Sequence, residues 1–232
     1  MRVKLLKYTQ EPELAVAQAA RLCYYKSDIS SLQDELSISK ARKLIKKVVS
    51  MGHTSVLEHA VFTFGIEDIS RVLSHQLVRH RIASFSQQSQ RYVEYDNIEY
   101  HIPEKIKRDE LALSKYKEHL KSVQELYRYY VDSGIPAEDA RYILPNAVTT
   151  KVITTFNARS LLNFFLLRCC SRAQSEIRVV AREMLKLVKV VAPSIFKNAG
   201  PSCIADGKCQ EGKKGCGHPF YKENNGEEIS AD

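Results

Sequence analysis

A chain of 232 residues with 44% apolar content is long enough to bury one sizeable core, and a single domain is the expected organisation. Its 35 basic and 27 acidic side chains leave a formal charge of +8, which favours anionic ligands without choosing between nucleic acid, membrane surface and small phosphates. No stretch approaches the roughly 20 apolar residues of a membrane span, and the opening segment lacks a signal peptide's apolar core; the chain reads as soluble and cytoplasmic. Six cysteines are present, and Cys23, Cys169 and Cys170 fall inside apolar helical patterns, where reduced cysteine behaves as a small buried hydrophobe.

Met1 to Tyr8 alternates like a short strand. Pro12 to Tyr24 and Ser39 to Met51 carry apolar residues at helical spacing, and His59 to Ile66 returns to period two, with Phe62 and Phe64 on one side. Ile69 to Arg79 reads as a helix, Ala83 to Gln90 as a Ser- and Gln-rich loop, and Arg91 to Ile102 as a second strand pairing with the first. From Lys105 to Ser133 a seam of Leu113, Tyr116, Leu120, Val123, Tyr127 and Tyr130 predicts a long helix that Gly134 and Pro136 end. Asn157 is placed to cap a helix through Leu167, and Ser171 with Gln174 has capping-box spacing for a last helix to Val191. Few strands and several long helices predict an α+β fold, a small central sheet covered by helices. From residue 198 the composition turns polar and Gly-rich, so the expected division is a domain over 1–197 and a tail over 198–232, poorly ordered unless something ties it down.

The densest chemical signal is Arg79-His80-Arg81, then seven residues, Ser89, one residue and Arg91. Cations at a helix end suit the dipole, but that leaves Arg91 and the polar loop unexplained. Guanidinium forks match phosphates and the edge of a planar carbonyl ring, and loop amides with Ser hydroxyls complete a phosphate cradle. Gln76, three residues before Arg79, shares its helical face. The combination predicts a nucleotide-binding anion site.

These residues resemble the signature of flavin-dependent thymidylate synthases. The likeness runs from Gly52-His53-Thr54-Ser55-Val56-Leu57-Glu58-His59 through Phe62-Thr63-Phe64 to Ala140-Arg141, Leu144-Pro145, Asn157-Ala158-Arg159-Ser160-Leu161, Asn163 and Arg168, covering roughly residues 10 to 195. The resemblance implies dUMP binding by Gln76, Arg79, Gln87, Gln88, Ser89, Gln90, Arg91, Arg141 and Arg168. It implies FAD binding by Ser55, Glu58, Arg79, His80, Arg81, Asn157, Arg159 and Asn163. The resemblance further implies Arg168 as the catalytic group, polarising the uracil ring, with FAD as cofactor and NADPH and methylene-tetrahydrofolate as co-substrates; no metal site is expected. A homotetramer with active sites shared between subunits is also implied, and the small central sheet is expected to be twisted. His53 is a further candidate for the flavin or folate pocket, His59 reads as structural, and Glu138 stays outside the catalytic set. Gln87 and Ser86 stand where some relatives carry Glu and Asn, and Arg172 where a relative has His.

Cys203, Cys209, Cys216 and His218 cluster in the tail, but their gaps depart from the short pairs of structural zinc sites. A basic nucleic-acid-binding module is the main rival reading, weakened because Tyr116, Tyr127 and Tyr130 fall on a core-like helical seam. A flavoprotein acting on uracil in tRNA is the other, and no Gly-x-Gly-x-x-Gly fingerprint supports it.

Overall fold

The computed structural model describes residues 1–34 and 36–217. In chain order the elements are β1 (Arg2–Tyr8), α1 (Pro12–Leu22), α2 (Ile29–Asp34), α3 (Ile38–Ser50), β2 (Val61–Ser70), α4 (Arg71–Leu77), β3 (Ser84–Gln87), α5 (Glu104–Lys107), α6 (Glu110–Asp132), α7 (Ala137–Ala140), β4 (Thr149–Asn157), α8 (Ala158–Arg168), α9 (Ser175–Val191) and α10 (Ser202–Ala205). The strands are hydrogen-bonded in the order β1-β2-β4-β3. The α+β expectation holds.

By compactness the chain divides into two units. One comprises Met1–Arg2, Gly65–Arg79 and Phe85–Thr154; the other comprises Val3–Phe64, His80–Ser84 and the chain from Thr155 on.

In the first unit, Ser70 ends β2 and caps α4 by accepting from the Leu73 N–H at 3.1 Å, so the strand runs on to Ser70 and the helix is shorter than expected. Ile66, Ile69, Leu73 and Leu77 are fully buried, each contributing about 1.5–3 kcal/mol of burial for a large apolar side chain, and Leu120, Val123 and Tyr127 of α6 are buried as well. The helix expected from Lys105 onward is broken, because Asp109 accepts from the Ala112 N–H at 2.9 Å and starts α6 afresh after α5. Gly134 follows α6 at φ +81, a left-handed conformation that favours glycine.

Two strand assignments need correction. Ser84–Gln87, expected as loop, is β3 and neighbours β4. Arg91 to Ile102, expected as a strand, is irregular apart from one bridge between Tyr100 and Val148. Two of its backbone groups are met by side chains of α6: Gln124 Oε1 accepts from the Ile98 N–H at 2.8 Å, while Gln124 Nε2 and Arg128 Nη2 each donate to the Asp96 carbonyl at 3.1 Å. Backbone pairing is confined to the bridge, where the His101 N–H donates to the Ala147 carbonyl at 2.8 Å and the Thr149 N–H to the Glu99 carbonyl at 2.9 Å. The missed strand is β4, whose buried Thr150, Val152, Thr154 and Phe156 alternate with exposed Lys151 and Ile153.

In the second unit, α1 and α3 pack together through Val16, Ala17, Ala20, Ala41 and Ile45. Phenylalanines form the centre: Phe62 and Phe165 both meet Phe196 edge-on, at 5.4 and 5.9 Å, and Phe164 sits 5.8 Å from Phe165. Glu13 is buried but satisfied, accepting from Arg42 Nε at 2.8 Å and from the Ser194 N–H. Gln174 itself caps α9 through the Ile177 N–H at 3.3 Å, and the Ser171 carbonyl instead accepts from Arg178; the expected Ser171 capping box does not form.

Beyond residue 197, Ala199, Gly200, Pro201 and Cys203 are buried, and α10 packs on α8. Apolar burial therefore ties the beginning of the expected tail down. Cys23 is exposed, contrary to the buried reading, whereas Cys169 is buried and its thiol is pushed up to about 12 by that burial. Among the described residues no cluster of His, Cys, Asp and Glu is arranged to hold a metal; His218 lies outside the described residues. No helix described is long and apolar enough to cross a membrane.

Candidate active site

The first unit holds most of the residues expected to bind nucleotide. Gln87 lies on β3, where its Nε2 donates to Ser74 Oγ at 3.0 Å and Thr150 Oγ1 at 3.3 Å. Both hydroxyls are buried, so the amide is anchored and its carbonyl oxygen is the end left for a ligand. Gln88 is fixed by its backbone, the N–H donating to the Lys151 carbonyl at 3.0 Å. Ser89 Oγ accepts from the Arg91 N–H at 3.2 Å and shapes the turn after the strand. Gln90 is buried.

Arg91 stacks over Tyr92, its guanidinium carbon 5.3 Å from the ring centroid, and donates through Nε to Glu138 Oε2 at 2.8 Å. Arg141 Nε donates to the Glu138 carbonyl oxygen at 3.0 Å. Glu138, set aside at the level of sequence, thus gathers two of the expected arginines. Gln76 is half-buried, its Nε2 reaching back to the Val72 carbonyl at 3.4 Å, and Arg79 is exposed at the end of α4.

Arg71 was missed. It is half-buried, and its guanidinium is held below the usual arginine range by burial and by the charge of Arg141, against an opposing pull from Tyr95. The signal available was its place directly after the capping Ser70, which aims an arginine from the first turn of α4.

The second unit holds the residues expected at the flavin other than Arg79, and it holds Arg168. Ser55 and Glu58 lie on a 3-10 turn, Ser55–His59, pinned by buried Leu57 and exposing its polar residues. The Ala158 N–H donates to the Ala60 carbonyl at 2.8 Å, tying the start of α8 to the end of that turn. This brings Arg159 Nη1 within 2.6 Å of Glu58 Oε1. Asn157 caps α8 as expected, Oδ1 accepting from the Ser160 N–H at 2.8 Å, which leaves its Nδ2 as a donor. Asn163 is exposed on the same helix, and Arg81 is exposed on the segment after α4. His53 and His59 are both exposed.

His80 differs from its two arginine neighbours. It is half-buried, meets buried Phe164 edge-on at 4.9 Å, and accepts from Arg168 Nε at 3.0 Å. Burial and the charge of Arg168 push its pKa down to about 4, so the ring is neutral. Arg168 is held below the usual arginine range by burial, which leaves it charged, since guanidinium does not deprotonate in proteins.

The fold is that of an α+β protein, and it leaves the guanidinium groups of Arg79, Arg81 and Arg159 exposed. The chain belongs to the thymidylate synthase complementing protein family, whose model matches residues 4–194. It is 54% identical over 219 residues to the flavin-dependent thymidylate synthase of Geobacter sulfurreducens, covering 94% of each chain. It is 48% identical over 233 residues to that of Clostridium tetani, with 94% of this chain and 93% of the relative covered. To that of Pyrococcus furiosus it is 44% identical over 219 residues, with 91% and 90% covered.

Proposed function

We propose that this protein is a flavin-dependent thymidylate synthase, converting dUMP to dTMP with methylene-tetrahydrofolate as carbon donor and NADPH-reduced FAD as hydride source. The reading is carried by the family match over residues 4–194, which includes every side chain of the Arg79-His80-Arg81, Ser89, Arg91 signature. In this reading the working form is a cytoplasmic homotetramer with active sites shared between subunits, residues 1–197 are the catalytic domain, and 198–232 form a C-terminal extension.

FAD combines an anionic pyrophosphate with a planar ring rich in acceptors, and the donors available in the second unit suit it. Arg81 and Arg159 offer exposed guanidinium groups. Ser55, Asn163 and the free Nδ2 of Asn157 add neutral donors, and neutral His80 adds no competing charge. Bound flavin supplies the hydride that completes the new methyl group.

The nucleotide would be held by Gln76, Arg79, Gln87, Gln88, Ser89, Gln90, Arg91 and Arg141. A dianionic phosphate outcompetes a single carboxylate for a guanidinium fork, so Arg91 would exchange Glu138 for substrate. Arg168 would donate to a uracil carbonyl and stabilise the negative charge that develops as the ring is activated, a preorganised electrostatic role. No cysteine nucleophile is required, and the buried Cys169 thiol, pushed up to about 12, is unsuited to be one.

The test is dTMP formation by Arg168→Ala. Loss of a preorganised donor is expected to lower kcat by about 100- to 1,000-fold with flavin still bound; full turnover in this variant would remove Arg168 from the chemistry.

A further inference from the structure

Arg168 ends α8 with an imidazole, not a carboxylate, as the side-chain partner of its guanidinium. A guanidinium has no lone pair to accept a hydrogen bond. The 3.0 Å contact from Arg168 Nε to His80 Nε2 therefore makes Nε2 the acceptor and places the imidazole proton on Nδ1. The ring is itself fixed, meeting Phe164 at an interplanar angle of 79°, and Phe164 is fully buried between Phe156 and Phe165. A guanidinium held through Nε keeps its two terminal nitrogens, the fork that meets a planar partner. A carboxylate in place of His80 would orient the arginine equally well, yet cancel the charge a developing oxyanion needs. A neutral imidazole orients it without that loss.

We propose that His80 is a positioning residue for Arg168, holding the guanidinium plane through a neutral Nε2 acceptor so that both terminal nitrogens remain for the substrate's carbonyl edge. This rests on Arg168 acting on the pyrimidine, and it goes past the direct flavin contact that the family resemblance assigns to His80.

The first measurement uses the wild-type holoenzyme: nitrogen NMR of labelled histidine, with the His80 signal assigned by its loss in His80→Gln. The proton is expected on Nδ1 at neutral pH; a proton on Nε2 overturns the proposal, and this readout needs no variant to be active. The second compares His80→Gln, whose carbonyl oxygen reaches the place of Nε2, with His80→Asn, which falls short of it. His80→Asn, assayed at saturating FAD, is expected to lose about 100-fold in kcat, the cost of a misplaced group of about 1 Å, with a smaller change in KM for dUMP. His80→Gln is expected to recover most of the loss. Equal activity of the two variants, high or low, overturns the proposal, as does a defect in His80→Asn that added FAD repairs.

Arg168→Ala separates this inference from the reading beneath it. Full turnover there removes the catalytic assignment itself; an inactive Arg168→Ala beside indistinguishable Gln and Asn variants sinks only the role of His80. In the Arg168→Ala background, His80→Asn is expected to cost nothing further, because the two residues act as one unit.

Discussion

Arg159 on the first turn of α8 donates to Glu58 at 2.6 Å across 101 residues of sequence. Both side chains are about half exposed, at 54% and 46%, and an exposed ion pair of this kind is worth about 0–1 kcal/mol. The pair is cheap to open, as the proposed flavin contact of Arg159 requires. Arg159→Ala is expected to shift Tm by no more than about 4 °C. Loss of a charge-assisted hydrogen bond of about 1.5–3 kcal/mol is expected to weaken FAD binding by about 10- to 100-fold. Flavin titration monitored by fluorescence checks this; unaltered affinity would take Arg159 out of the cofactor site.

Arg91 is stacked on Tyr92 and paired with Glu138, so its fork is already oriented. Arg91→Ala is expected to weaken dUMP binding by about 10- to 100-fold, again for a charge-assisted bond of about 1.5–3 kcal/mol. Arg91→Lys is expected to fall between, because an ammonium keeps the charge but loses the planar fork. Calorimetric titration with dUMP distinguishes them, and a lysine variant as tight as wild type would show that the fork is unused.

Asn157 carries a cap through Oδ1, and its Nδ2 is the proposed donor to the cofactor. Asn157→Asp retains the capping oxygen and suits the positive end of the helix dipole, so stability is expected to hold while FAD binding weakens. Asn157→Ala removes both functions and is expected to cost about 1 kcal/mol of stability as well. Equal FAD affinity in wild type and Asn157→Asp would leave Asn157 as a cap alone.

The pH dependence follows from His80, whose pKa falls from 6.5 to about 4 on folding, through burial first and Arg168 second. The unfolded chain binds the proton more readily, so stability rises with pH wherever the two states differ in protonation. The neutral ring costs nothing above about pH 6.5. Its penalty grows as pH falls toward about 4 and levels off below. The stability advantage of wild type over His80→Gln is therefore expected to shrink as pH drops from about 7 to about 5. Thermal melts of both proteins over that range test it, and a constant difference would mean that His80 keeps its ordinary pKa.

The α+β class and the positions of α1, α3, α8 and α9 were legible because each element carries its own apolar period or its own cap, as Asn157 shows. The signature arginines were legible as a cluster because they are close in sequence. Arg91 to Ile102 misled because its Tyr, Val and Ile residues have strand composition, while Gln124 and Arg128, which take its Ile98 N–H and Asp96 carbonyl, lie on α6 some 30 residues later. β4 carries a legible signal in the alternation of buried Thr150, Val152, Thr154 and Phe156 with outward residues. Glu138 and Arg71 escaped because their significance comes from Arg91 and Arg141, neighbours that local spacing does not reveal.

Local sequence, then, determined which residue types were present in what order, and with them the family, the caps and the candidate anion-binding groups. Tertiary structure alone decided which of those groups are exposed donors and which are fastened to the protein. Arg79, His80 and Arg81 read as three adjacent cations, yet only His80 is withdrawn from water, neutral, and bonded to an arginine 88 residues away. The reason is physical: charge state and orientation depend on desolvation and on partners within a few ångströms, and folding sets both by joining segments that are distant along the chain.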